Sequence, residues 1–444
     1  MCAPVHTYAD FRPEGRRVSR DDRNEPGVSA PSATSPLLNV LRHRTYRRLF
    51  TAQVVALVGT GLLTVALGLL AFDIAGGDAG LVLGTALTIK ILVYVVGAPT
   101  VTAVAAKLPV KPVLITADLV RASIAVCLPF VHSEWQLYAA IFLLQAASAT
   151  FTPTFQSVIP QVLPDEDEYT NALSLSRMAY DVEQITSPAV AALFLAVMSY
   201  HNLFIGTMLG FLVSAALVIG TRLPARPEPE SEQSGFLSRV FRGVKIMAAE
   251  PELRGVLWLN LAVAAPMATV MINTVVIVRG EMGRNDTALA ITLAGFGLGS
   301  MLTALALPRI LALVPDRAVM TAGALAGAAA LAGLILLLTV GDQLDGAGAW
   351  FTVIALWLVL GSATSALQTP MSRVLRRNVG PESYGYIFAA QFSLSHACYL
   401  ATYPAAGFLG VWFGLPAATG VLLAMTLLGV GAGFRAFSSR QPVA

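Results

Sequence analysis

Lys90 sits in the stretch ALTIKILVYV and His396 in QFSLSHACYL, both surrounded by apolar residues. An ionisable group in such a run is costly to bury, so it marks a solute path, a proton relay or a buried partner. Lys90 reads as a pathway counter-ion, as the structural partner of a carboxylate, or as a side chain snorkelling toward a cavity. His396 reads as a neutral, hydrogen-bonded interior imidazole, as a proton relay or as a metal ligand. Asp118 and Arg121 are three apart, and Arg177 and Asp181 four apart, so on a helix each pair shares one face and can neutralise itself. The first pair lies near the start of its helix and is also a gate candidate. Glu183 is two beyond Asp181, some 200° further around a helix. No cation of its own helix lies one turn from it. A carboxyl buried without such a partner is a candidate proton carrier, and the competing reading is a lock to a neighbouring helix.

Those residues need elements to hold them, and the composition says which. The chain is 56% hydrophobic and 12% charged over 444 residues, with a mean hydropathy of +0.69. A soluble surface needs roughly twice that charge, about 25%. Twelve apolar stretches, from 48–72 through 79–105, 112–132 and 171–198 to 412–435, are long enough to cross hydrocarbon. Helices are the spanning element expected, because each satisfies its own backbone in lipid. The prediction is an all-α integral membrane protein of about twelve transmembrane helices. Residues 1–44 are polar and Arg-rich, with no apolar h-region, and read as a disordered tail rather than a cleaved signal. Cys2, Cys127 and Cys398 are too far apart for a zinc knuckle.

Orientation follows from Lys and Arg. With the N-terminus in the cytoplasm, 24 of the 29 fall on the cytoplasmic side and only Arg279 and Arg284 outside. Both termini are therefore predicted to be cytoplasmic, in an inner membrane. The longest internal loop, 222–253, opens on Pro224, Pro227 and Pro229 and then reads as a basic amphipathic helix at the membrane surface. It divides the chain into six-helix bundles at 45–221 and 254–435, with a further tail at 436–444. The bundles echo each other. Thr152-Pro153 and Pro164 are matched by Thr369-Pro370 and Pro381, and Arg47 with Gln53 by Arg254 with Asn260. That is the pattern of a parallel duplication with two pseudo-symmetric halves.

The segment FTPTFQSVIPQVLPDEDEYTNALSLSRMAYDVE (151–183) resembles the helix 4–5 connection of the macrolide-efflux and siderophore-exporter branch of the major facilitator superfamily. RTYRRLFTAQVVALVGTG (44–61) is similar to the nickel-resistance exporters of that branch. Antiporters of the superfamily often carry G-x-x-x-G-P-x-x-G-G in helix 5. The corresponding frame is Glu183-x-x-x-Ser187-Pro188-x-x-Ala191-Ala192, which keeps the proline, a gate candidate, and places Glu183 where the first glycine stands. In the helix 2–3 loop motif, Lys107 and Lys111 remain but Ala106 replaces the aspartate. The resemblance implies that helices 1, 4, 7 and 10 line a central cavity. Gln53, Gln145, Asn260, Asn273 and Gln368 are then pathway candidates.

GFGLGS (295–300) lies within an apolar helix, which makes it a packing face rather than a nucleotide loop. No Walker Lys-Ser/Thr, HExxH or GxSxG occurs, so an ion gradient is the expected energy source, with no cofactor and no enzymatic activity. The expected partners are a small-molecule substrate, protons and the lipid bilayer, without nucleic acid, for a chain functional as a monomer. The resulting reading is a proton-coupled exporter of an amphiphilic organic solute. A nickel or cobalt exporter is the alternative, with His396, Asp181 and Glu183 as ligands beside the softer Cys398 and Met178. A non-transporting membrane sensor is a third possibility.

Overall fold

A computed structural model of the chain describes residues 39–97, 108–223, 236–340, 346–378 and 384–438, and these are all-helical. Six helices precede the central linker: α1 (Arg44–Ala75), α2 (Ala79–Leu92), α3 (Val110–Cys127), α4 (Glu134–Val162), α5 (Glu166–Leu195) and α6 (His201–Ile219). The linker helix α7 is Phe236–Ala249. There follow α8 (Pro251–Ala268), α9 (Asp286–Leu313), α10 (Asp316–Val340), α11 (Gly346–Arg377), α12 (Tyr384–Phe413) and α13 (Leu415–Ser438). Eight stretches are long and apolar enough to cross a membrane, the first of them, Arg44–Val95, containing both α1 and α2. The chain is a multi-pass membrane protein.

Local chemistry explains several boundaries. Asp165 caps α5 by accepting from the Glu168 N–H, so this helix begins earlier than the apolar stretch that announces it. Pro266 removes a backbone donor from α8, and the turns beyond it widen to π-helix at Thr269–Asn273 and Val276–Glu281. The predicted span 79–105 is described over α2 and a π-turn at Val93–Gly97, and residues 98–107, including Lys107, fall outside those described. Within 222–253 the described residues form α7 and the first turn of α8, and 224–235 fall outside those described. Helix α7 packs on α12, with Gly243 against the Tyr386 carbonyl and the Arg242 guanidinium 4.5 Å over the Tyr386 ring.

Helices α1–α6 and α8–α13 meet unevenly along their length. At the end where α1 begins and α13 ends, each set has its own apolar core. One core gathers Tyr46, Leu114, Ile159 and Val218, the other Leu253, Met320, Val374 and Phe437. At the opposite end a single core joins both sets, including Leu69 and Val82 from the first and Ile272, Tyr403 and Leu422 from the second. The join runs along two seams, α2 on α12 and α5 on α9. At the first seam Gly80 and Gly84 meet Gly407 backbone to backbone: a Cβ on Gly407 would lie 2.5 Å from the Gly80 carbonyl. At the second, Thr287 donates to the Leu195 carbonyl at 3.1 Å. Tyr200 donating to Asp73 at 2.6 Å, and an Arg279–Asp286 ion pair, secure the same end.

Candidate functional site

Between the two helix sets lies a cavity of about 400 Å³. Its walls are stripes at helical spacing: Gln53, Leu57, Thr60 and Thr64 on α1; Leu83, Leu87, Lys90 and Tyr94 on α2 and its π-turn; Ile141, Gln145, Ser148 and Thr152 on α4. Shorter stripes add Tyr180, Glu183 and Ser187 from α5, and His396, Tyr399 and Tyr403 from α12. The hydroxyls of Thr60 and Thr64 donate back to the carbonyls of Ala56 and Thr60, at 3.0 and 3.1 Å. Their oxygens can still accept from a solute.

Glu183 has a partner on its own helix that a search for cations overlooks. Ser187, one turn on, donates to the carboxylate at 3.2 Å. Lys90 shares the cavity and is coupled to Glu183 electrostatically, without an ion-pair contact among the described residues. Room for Glu183 and Ser187 comes from Gly61 on α1, where a Cβ would overlap the Ser187 side chain. Overpacking a close-packed core costs about 1–3 kcal/mol. Gly61→Ala is therefore expected to lower thermal stability and to impair transport along with it. A variant with wild-type melting temperature and transport would show that α5 yields at this point.

The Asp118–Arg121 pair is buried and neutralises its own charge, although Arg121 Nε has no hydrogen-bond partner among the described residues. Ser214 on α6 donates to the second carboxylate oxygen at 2.7 Å, and the guanidinium lies 4.3 Å over Phe151 and 4.5 Å over Phe211. Arg121 reaches the cavity wall with its charge already matched. The His396 Nδ1–H donates to the Phe392 carbonyl at 2.8 Å, which leaves Nε2 as the free acceptor.

The other predicted site residues divide between the cavity and positions away from it. Gln53 lines the cavity and accepts from Ser176 on α5 at 3.1 Å, and Gln145 lines it too. Asn260 is not in the lining. Its amide pairs reciprocally with Gln391 of α12 at 3.1 and 2.7 Å, tying α8 to α12 as Gln53 ties α1 to α5. Interhelical hydrogen bonds in membranes average only ~0.6 kcal/mol, so this lock sets register more than stability. Asn273 is fully buried beside a second, much smaller cavity along the α2–α12 seam, and Gln368 is half-buried on α11 away from the lining. Cys398 and Met178 are also absent from the wall. The side chains of Arg177, Asp181 and Pro188 lie outside the described residues. The residues missed by sequence reasoning are Tyr94, Tyr180, Tyr399 and Tyr403. Their signal is present: each of Lys90, Glu183 and His396 has a tyrosine one helical turn away. The glycines of GFGLGS serve packing, with Gly299 against the Leu358 carbonyl of α11.

Residues 49–344, well over half of the chain, match the sequence profile of the Major Facilitator Superfamily. The chain belongs to that superfamily. It is therefore a transporter rather than an enzyme. Its sequence is similar to macrolide efflux protein A of Streptococcus pyogenes, 24% identical over 205 residues, which are 45% of this chain and 50% of that protein. The Enterococcus faecalis protein of the same name is 25% identical over 162 residues, 35% of this chain and 50% of that one. The chain thus spans about half the length of the curated relatives it matches, and the resemblance to efflux-type members holds at that level. Among solved structures, the nucleoside transporter NupG superposes with a TM-score of 0.67 at 12% identity, over 89% of this chain and 100% of that one. A bacterial homologue of the human lysosomal transporter Spinster, inward-facing and unoccupied, gives 0.62 at 15% identity, over 93% and 100%. A bacterial metal transporter gives 0.59 at 12% identity, over 89% and 99%. These structures share the fold.

Proposed function

We propose that this transporter is a proton-coupled exporter of an amphiphilic organic solute. The observation that carries the reading is the cavity itself, where Lys90, Glu183 and His396 stand among tyrosines, threonines and aliphatic side chains. A mixed wall of this kind suits a molecule with an apolar body and a few polar groups. The similarity to macrolide efflux proteins supports export of such molecules. The solute site lies between two six-helix halves, 45–221 and 254–435, which rock about it, with Pro188 and the Asp118–Arg121 pair as gate elements. The paired locks Gln53–Ser176 and Asn260–Gln391, at matching positions of the two halves, support the duplication. The Lys and Arg bias supports an inner-membrane orientation with cytoplasmic termini. In that orientation the separated cores at the end where α1 begins and α13 ends correspond to a state open to the cytoplasm. Glu183 is the proton carrier, with Asp181 and His396 next in order.

Nickel and cobalt prefer imidazole and carboxylate ligands. Among the described residues no three of His, Cys, Asp and Glu converge as a metal would require. Expression in a sensitive host is expected to raise tolerance to hydrophobic drugs and to leave nickel and cobalt tolerance unchanged. Strong metal resistance that disappears in His396→Ala would overturn this reading and make His396 a ligand.

A further inference from the structure

Arg121 enters the cavity wall already matched by Asp118, and the His396 Nδ1–H is spent on a backbone carbonyl. Among the described residues, what remains in the wall is one cation and one anion on separate helices. Lys90, on α2, has no hydrogen bond or ion pair among the described residues, and Glu183, on α5, is held only by Ser187 of its own helix. The two helices pack along different seams, α2 against α12 and α5 against α9. The two charges attract through the cavity but do not close on each other. Neither has an ion-pair partner among the described residues, and an unpaired charge in a low-dielectric wall is costly.

A ligand with a single charge meets one of these groups well and leaves the other unpaired, or repelled. A ligand with opposite charges at separate points satisfies both. Tyr94 and Tyr180, one turn from Lys90 and Glu183, place aromatic surface next to each charge, and Tyr399 and Tyr403 add more from α12. We propose that the cavity is built for a zwitterionic aromatic solute, whose anionic group is taken by Lys90 and whose ammonium group is taken by Glu183. This assignment rests on the organic-solute reading above and narrows it to one charge class.

Three probes with one skeleton test it: naphthylalanine, naphthylethylamine, which is only cationic, and naphthylpropionic acid, which is only anionic. Binding is measured by calorimetry on the purified full chain in lipid nanodiscs at neutral pH. Naphthylalanine should bind about tenfold or more tighter than either analogue, as expected when each charge contact contributes at least one decade in Kd. Lys90→Met should abolish the advantage over the amine, and Glu183→Gln the advantage over the acid. Equal or tighter binding of either singly charged probe to the wild type overturns the zwitterion assignment and leaves organic-solute export standing. Failure of all three to bind also overturns it. A resistance profile confined to metals removes the underlying reading instead.

Discussion

Glu183→Gln is expected to abolish uphill export driven by an inward proton gradient while leaving downhill equilibration of the solute intact. The amide keeps the size of the side chain and can still accept from Ser187, which now donates to Glu183 at 3.2 Å. It cannot take up and release a proton. Transport that depends on a proton bound at this position therefore loses its coupling but not its cavity. Binding of a solute weakens, because an ammonium loses its carboxylate, but it persists on Lys90 and the tyrosines that share the wall. The measurement is solute accumulation in proteoliposomes with and without an imposed pH gradient. Wild-type accumulation by Glu183→Gln would exclude it as carrier and turn attention to His396 and Asp181.

The second large effect is expected at the opposite end of the cavity. Gly407→Leu should hold the α2–α12 seam open and stop transport. A Cβ at Gly407 would lie 2.5 Å from the Gly80 carbonyl and 3.2 Å from the Gly84 Cα, and neither backbone can retreat without parting the helices. Overpacking costs about 1–3 kcal/mol, and a cost borne by only one of two states shifts their ratio by roughly 5–150-fold. The substitution penalises the state in which this end is sealed. Val276, buried at 8% exposure beside the seam, reports on it. Val276→Cys should react several times faster with an impermeant maleimide in the Gly407→Leu background than alone. Unchanged labelling together with unchanged transport would show that the seam does not have to close this tightly.

The helical class of the chain and its most chemically loaded positions follow from sequence, because burying a charge in hydrocarbon is expensive wherever the helix ends up. Lys90, Glu183 and His396 stand out by that cost alone, and all three line the cavity. The stripes on α1, α2 and α4 are likewise written in the spacing of three and four residues. Which of several polar residues on a helix faces the solute depends on how that helix is rotated against its neighbours. Asn260 illustrates the limit: its type and depth make it a pathway candidate, yet Gln391, 131 residues away, claims its amide. Likewise, Glu183 lacks a cation one turn away on its own helix, and only the packing of α5 beside α1 brings it into one cavity with Lys90. The rotation is fixed where backbones come closest, at Gly61 under Ser187 and at Gly80 and Gly84 under Gly407. Local propensity determines that each segment is a helix, but contacts between residues more than a hundred positions apart determine which side of it meets the solute.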